Sequence, residues 1–472
     1  MIKDCAFRAS QRSRKALRIA LSLLFLGLMA SSSHAAAQQP WSLDELLGLP
    51  ERLQVPLDHR VRYEFLDDQF RAGRGGDDQL LLLRSRVRAK LDILDWLSLG
   101  AEFQDSRAYQ GDMQTPVSTG IIDTAELLRA YLEVAATGPF GGTHSLQAGR
   151  ITMDVGSRRL VARNRFRNTS NAFTGVDWRW TSKSKAHELR LFYVLPIQRL
   201  PNDAPSLREN EVDFDQEGFH SQFFGIFYGA KLPWKSSLEL YAFGWLQQAS
   251  ATYRTSRTRL ATPGFRVFRK PQPGHFYYEF EAAFQAGERR AAVSSTRDLD
   301  HFAHFEHLMI GYAFDAPCKP RLSFLYDYAS GDKSALDGNS GRFNSLFGGR
   351  RFDFGPTSIY GPFARANLNT PGVRLKLWPH AQWSAFVAYR AFWLASKRDA
   401  WTTAGTIDVA GRSGRFIGSQ IELRVRYELL PKNLRLEFGY AHLFAGDFID
   451  QAPGSRRQGD SNYVYTQLLL NL

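Results

Sequence analysis

Leu83-Arg84-Ser85-Arg86-Val87-Arg88-Ala89-Lys90-Leu91 alternates with a period of two, one set apolar or small and the other wholly cationic. On a strand that period places the two sets on opposite sides of a sheet. About sixteen stretches of the 472-residue chain alternate in this way, with few helical patterns between them to cover an apolar face. A closed barrel, apolar outside and charged inside, satisfies the pattern without such cover.

The pattern predicts strands near 58–66, 79–93, 97–106, 124–136, 144–153, 174–182, 186–196, 219–231, 236–248, 257–269, 275–286, 303–315, 320–330, 371–378, 382–395, 415–429, 433–445 and 461–472. The expected fold is an all-β, transmembrane, antiparallel up-and-down barrel of eighteen strands, an even number as bacterial barrels require. Connections alternate in length. Short ones such as Asp95-Trp96, Leu232-Pro233-Trp234, Pro317-Cys318-Lys319 and Pro431-Lys432-Asn433 carry turn residues. Long ones include 107–123, 154–173, 197–218, 287–302, 331–370 and 396–414. Short periplasmic turns and long extracellular loops are the asymmetry of an outer-membrane barrel. Trp96, Trp180, Trp234 and Trp378 fall at or beside the short turns, where amphipathic rings form an interfacial girdle.

The ends and the bulk numbers agree with an exported chain. Arg12, Arg14, Lys15 and Arg18 precede an apolar stretch from Ile19 to Ala30 and a small-residue site at Ala35-Ala36-Ala37. This pattern is that of a secretory signal peptide over 1–37, with cleavage after 35 or 37. A periplasmic segment over 38–56 follows, with a short helix expected at Trp41–Leu47 from the capping-box spacing of Ser42 and Glu45. The barrel itself is assigned to 57–472. The formal net charge is +13, of which the signal carries +5 and the mature chain about +8. Cys318 alone survives processing, so no intramolecular disulfide is expected. The alternating end of the chain, Val464 to Leu472, resembles the terminal strand read by the barrel-assembly machinery, although such strands usually end in Phe.

If the apolar set faces lipid, the other set lines a lumen. Its basic members are Arg60, Arg62, Arg84, Arg86, Arg88, Lys90, Arg129, Arg179, Arg190, Arg374, Lys376, Arg390, Arg424, Arg426 and Arg435, to which the family resemblance described below adds Arg150. Acidic members are Glu102, Glu133, Asp177, Glu188, Glu279, Asp327, Glu422 and Glu437, with Glu64, Glu239 and Glu281 on the same face. Such charges can pair across strands simply to fill a wall. As a set, however, the cations are in excess and densest on strands one, two, fourteen and sixteen, which would concentrate anions along the pore. A guanidinium fork suits carboxylates because it can bind both oxygens.

Several stretches carry a family resemblance: Tyr326-Asp327-Tyr328-Ala329-Ser330-Gly331-Asp332, Arg342 to Phe347, Gly149-Arg150, the run GSRRLVARNRFRN over 156–168, Phe173-Thr174-Gly175, and Gly439 to Phe448. Together they resemble the alginate-export family of outer-membrane porins. The resemblance implies an eighteen-stranded monomeric barrel whose arginine-rich constriction passes an anionic uronate polymer outward, with loops gating the pore. It assigns that role by position to Arg62, Arg86, Arg129, Arg150, Arg179, Arg374, Arg424 and Arg426. Alginate exporters also carry a long periplasmic plug between strands sixteen and seventeen, where this chain has only Leu430 to Asn433.

Loop 331–370, the longest and rich in glycine, is placed to fold into the lumen or cover it, and the arginines of loop 154–173 to meet an acidic polymer or lipopolysaccharide phosphates. His301, His304 and His307 suggest zinc, but on a strand His304 points away from the other two, so no metal is expected there. Asp213, Asp215 and Glu217 could hold calcium through oxygens, or be a solvated acidic loop. Phosphate-loop, dinucleotide, nucleophile-elbow and HExxH motifs are absent from the sequence. The reading is a channel, not an enzyme, with no cofactor and no nucleic-acid partner. Its partners are an anionic saccharide or other anionic solute, the bilayer and lipopolysaccharide, and the barrel-assembly machinery. Alternatives are a general or small-carboxylate porin of the same fold, or a barrel enzyme or adhesin, for which His442 close to Asp447 is the thin lead.

Overall fold

The computed structural model describes residues 40–472 apart from 139–140, 254, 335 and 455–458. The signal peptide expected over 1–37 lies outside the described residues, as do Pro139 and Phe140 of one turn. Eighteen strands form the wall: β1 Leu57–Asp67, β2 Asp78–Leu94, β3 Leu97–Tyr109, β4 Asp123–Gly138, β5 Gly142–Ile151, β6 Phe173–Ser182, β7 His187–Pro196, β8 Ser221–Lys231, β9 Ser236–Gln247, β10 Thr258–Arg269, β11 His275–Arg290, β12 Asp298–Ala313, β13 Arg321–Ala329, β14 Leu368–His380, β15 Trp383–Trp393, β16 Phe416–Leu430, β17 Leu434–Ala445 and β18 Ser461–Asn471. Each pairs antiparallel with the next. Pairing of β1 with β18, Arg62 opposite Gln467 and Glu64 opposite Tyr465, closes the barrel and leaves no free edge.

All eighteen expected strands are present, with shifts at their ends. The largest is at β11 and β12, which run on past 286 and begin before 303, so the expected loop 287–302 shrinks to 291–297. Charge explains the extension: Arg290 Nε meets Asp298 Oδ1 at 3.1 Å and Arg257 reaches both Asp298 and Glu288, so this part of the hairpin is ladder, not loop. The N-terminal helix is shorter than expected, Leu43–Leu47, and Ser42 makes no side-chain cap bond. Asp44 instead turns back to accept the Val55 N–H at 2.5 Å, and Gly48 ends the helix at φ 60°. Asn433, in the last short turn, accepts the Trp41 N–H and donates to the carbonyls of Trp41 and Asn471. One side chain thus pins the segment to the barrel's periplasmic end.

The outward face is apolar and exposed, as Val61, Tyr63, Leu99, Phe103, Val176 and Leu191 illustrate. Trp96 and Trp234 stand exposed in short turns, with Trp180 and Trp378 at neighbouring strand ends. The inward face is less uniform than the sequence implies. Toward the periplasm it is charged, but its extracellular half carries Leu66, Leu80, Leu82, Leu443 and Tyr463, all buried. Loops that fold into the barrel supply their partners, among them Tyr360 and Phe363 on one side and Leu160, Val161, Phe343 and Phe347 on the other. Hydrophobic burial therefore drives loop insertion, and the polar lumen survives where the loops do not fill it.

Gly439 shows how closely the inner wall is fitted. Its strand partner Tyr465 lays its ring where a β-carbon at 439 would stand. From there Tyr465 donates its hydroxyl proton to Glu437 at 2.6 Å and accepts from Arg351 at 3.1 Å. Gly439→Val is expected to destabilise the barrel by about 1–3 kcal/mol, the usual range for overpacking. Urea unfolding in micelles measures this, and parental stability would show that the ring does not need the space.

Candidate functional site: a constricted cationic lumen

Strand order makes one belt of residues that are far apart in sequence. Closure through β18 puts β16 and β17 beside β1 and β2, so Arg424, Arg426, Arg435, Arg60, Arg62, Arg84, Arg86 and Arg88 line a continuous sector. All of them lie toward the short-turn ends of their strands or near mid-height. Lys90, on β2, and Arg374 and Lys376, on β14, extend the belt below and to the side.

Much of this belt holds protein. Loop 152–172 descends into the lumen and offers its backbone carbonyls to the wall. Arg60 donates to Phe166 O and to Asn168 Oδ1, both at 2.9 Å, and Arg62 donates to Phe166 O at 2.8 Å while stacking on its ring. Arg84 donates to the carbonyls of Arg165 and Arg167 at 3.0 and 3.1 Å. Arg86 is taken by Asp58 at 2.9 Å. These four were expected to face solute; they are loop and strand anchors because the loop arrives over them, which no periodicity along one strand can foretell.

Loop 330–367 enters from the other side and is zipped to the first. Ala162 N donates to Phe347 O at 3.1 Å, Phe347 N to Leu160 O at 3.0 Å and Gly349 N to Arg158 O at 2.9 Å. Gly348 lies so close to the Arg159 carbonyl that a β-carbon there would collide with backbone. Below this zipper sits Asp353. Its carboxylate receives Arg159 Nε at 3.0 Å and an ion pair from Arg365, while its carbonyl accepts from Arg390 at 3.1 Å. Arg159 also meets Glu281 at 2.7 Å and pairs with Glu279, and Arg390 meets Asp327 at 2.6 Å, itself bonded to His307 at 2.8 Å. Burial alone would raise the Asp353 carboxyl, but Arg159 and Arg365 overcome it and hold the group well below the usual carboxylate range.

Between loops and belt lies a cavity of about 1020 Å³. Fourteen arginines line it against three acids, Asp58, Asp154 and Glu437. Among the described residues Arg88, Arg158 and Arg424 make neither an ion pair within 4 Å nor a side-chain hydrogen bond, although Arg88 and Arg424 still act through space on Asp58 and Glu437. Burial, with Arg365 nearby, pulls the Arg350 guanidinium down to about 10, so it stays cationic at neutral pH.

The other expected lining residues are placed by register. Arg129 faces inward opposite Glu102, with 3.8 Å between charges, and Arg163 of the loop pairs with the same Glu102. Arg179 and Arg190 share Asp177 at 2.8 and 2.7 Å. Arg426 pairs with Glu437, Arg351 with Glu422 at 2.5 Å, and Ser145 and Gln147 donate to Glu133. Glu188 has inward parity at the periplasmic end of β7. Arg150 is a correction. Its strand partners are Ala130 and Thr174, whose face is the outward one, and its guanidinium turns up to Glu126, Glu217 and the Asp215 carbonyl at the extracellular rim. The inward face of β5 belongs to Ser145 and Gln147, so Arg150, expected in the lumen from the family resemblance, has the opposite parity. His442 is a second correction: it sits on the outward face, and its carboxylate neighbour is Asp460 at 3.2 Å, not Asp447.

Residues missed by the sequence reading are Arg266, which meets Glu239 and Glu279 at 2.9 and 3.0 Å, and the loop residues Arg350, Arg351, Asp353 and Arg365. The alternation Thr262, Gly264, Arg266, Phe268 could have revealed the first. The loop residues follow no strand period, and their pairing partners lie tens to hundreds of positions away. His301 and His307 face inward and His304 outward, so the three do not converge.

The sequence model for alginate export matches residues 51–461. The chain belongs to the alginate-export family. No curated protein sequence matches it. Among solved structures, this alginate-export family member resembles OccK9 (OpdG) of Pseudomonas aeruginosa at 14% identity and TM-score 0.57, covering 89% of this chain and 99% of that one. OccAB3 of Acinetobacter baumannii matches at 9% identity and TM-score 0.57 over the same shares. OpdK of Pseudomonas aeruginosa, solved with vanillate, matches at 12% identity and TM-score 0.54, again over 89% and 99%. The likeness is one of fold: an outer-membrane porin barrel. In this family member the turn between β16 and β17 is only 431–433, so no long periplasmic plug occurs at that place.

Proposed function

We propose that this alginate-export family member is a passive channel for anionic solutes, carried to the outer membrane of a Gram-negative bacterium by its signal peptide and working as a monomer without cofactor. The observation that supports this most is the excess of arginine around the cavity, with Arg88, Arg158 and Arg424 making no ion pair within 4 Å and no side-chain hydrogen bond among the described residues. Their field lowers the entry barrier for anions and raises it for cations. Planar forks then exchange one carboxylate for the next as a uronate or other acid moves through. Because the sites are many and similar, no single one traps the solute.

Two loops packed into the lumen favour small carboxylates over a polymer in this conformation, and OpdK, of like fold, was solved with vanillate. Reconstitution in planar bilayers under a potassium chloride gradient tests both readings. The expected reversal potential is anion-selective, and Arg88→Gln with Arg424→Gln is expected to bring the anion-to-cation permeability ratio toward unity. Current block by monomeric uronate, but not by long oligouronate, identifies the small-solute reading. A cation-selective parent would overturn the proposal.

A further inference from the structure

Three buried carboxylates meet at the extracellular rim, away from the cationic belt. Asp123 at the start of β4, Glu126 three residues on and Asp215 of loop 197–220 each place one oxygen within 4.8 Å of the others. Their bonds are incomplete. Glu126 is paired with Arg150 and accepts the Asp215 N–H at 3.0 Å, and Asp215 Oδ1 accepts the Leu200 N–H at 2.9 Å. Asp123 Oδ2 accepts from Gln104 Nε2 at 2.8 Å, but Asp123 Oδ1 has no donor.

Gln104 supplies an independent sign. It is fully buried, is the strand partner of Glu126, and is fixed on Asp123 through its amide nitrogen. Its amide oxygen, on the same terminal amide that holds Asp123, is also without a donor among the described residues. Two orphaned buried oxygens in one place are costly unless a cation or donor answers them. Arg199 and Arg167 lie near enough to act on Asp123 through space, but among the described residues they donate no hydrogen bond to either orphaned oxygen, since their N–H groups go to the carbonyls of Thr119, Ser170 and Thr169 and to Asn171. The other buried acidic group, His307 with Asp327 and Asp353, is answered by Arg159, Arg365 and Arg390.

We propose that Asp123, Glu126, Asp215 and the amide oxygen of Gln104 bind one calcium ion that ties loop 197–220 to the barrel wall. The donors are all oxygen, which suits a hard cation, and oxygens up to 4.8 Å apart fit across an ion with bonds of about 2.4 Å. Magnesium, at about 2.0–2.1 Å and strictly octahedral, needs a tighter cage. Of the loop acids expected from sequence, Asp215 alone belongs to the site. Asp213 is exposed, and Glu217 is bonded to Arg150 and Thr174.

The test is calcium titration of the chelator-stripped full chain, refolded in micelles free of lipopolysaccharide, with folding checked by circular dichroism. The expected result is one calcium equivalent that tenfold more magnesium, on the selectivity argument above, does not displace, and calcium-dependent protection of loop 197–220 from trypsin. Asp215→Asn is expected to weaken that equivalent by about tenfold or more, and Asp213→Asn to leave it unchanged. Gln104→Leu, which keeps all three carboxylates, is expected to weaken it as well. Absence of binding, or binding indifferent to both Asp215→Asn and Gln104→Leu, overturns the proposal.

Discussion

Asp353→Ala is expected to convert the narrow channel into a wide, noisy one. The substitution leaves Arg365 with no carboxylate partner among the described residues and takes from Arg159 one of three. Breaking one side of a buried ion pair typically costs about 3–5 kcal/mol, because the remaining charge stays desolvated. The wall, with its continuous ladder, does not depend on this carboxylate. The loss therefore falls on loop 330–367 and, through the zipper at Phe347 and Gly349, on loop 152–172. Single-channel recording should show larger conductance and frequent substate transitions, while the barrel's heat resistance on gels is unchanged. Unchanged conductance would mean that the apolar contacts of Tyr360, Phe363 and Phe343 hold the loops alone. The pH response follows from the same carboxylate. Its folded-state value is depressed, so its contribution is fully present above the unfolded value of about 3.9 and disappears only as pH falls through the lower folded value. Acidification to pH 4 should leave the parent conductance as it is at pH 7.

Replacing Arg60 and Arg84 by Met is expected to raise conductance and to alter selectivity little. The two guanidiniums donate to the carbonyls of residues 165–167 and to Asn168, so their removal loosens the tip of loop 152–172 and takes the donors from the Arg165 and Arg167 carbonyls, while Phe166 O keeps Arg62. Each orphaned carbonyl costs about 1–3 kcal/mol unless water reaches it, and admitting water is what widening the pore achieves. Were these arginines solute contacts, the same double substitution would lower anion selectivity at constant conductance, as Arg88→Gln with Arg424→Gln is expected to do. Conductance and reversal potential, measured on both variants, separate the wall's two uses of one residue type.

The strands and their number were legible because a barrel wall writes itself locally. Each strand must alternate, each must hydrogen-bond to its chain neighbour, and each short turn needs turn residues. Arg84, Arg86, Arg88 and Lys90 could be given a face from nine consecutive letters. Arg150 was given the inward face by resemblance alone, whereas the alternation of Ser145, Gln147 and Gly149 puts it on the opposite one. The interior was legible only as composition. Nothing local says that Arg60 meets Phe166, 106 residues away, or that Asp353 gathers Arg159 across 194. Likewise Asp215 could be marked as a carboxylate in an acidic loop, but its companions Asp123, Glu126 and Gln104 come from the wall beside it.

By itself, then, the sequence determined an eighteen-stranded membrane barrel with short turns at one end, long loops at the other and an excess of arginine inside. The tertiary structure decided which arginines anchor loops, which pair with acids and which are left to meet a solute. The physical reason is range. Strand periodicity and turn chemistry act over a few residues, whereas loop insertion depends on apolar burial and ion pairing between segments that only the closed barrel brings together.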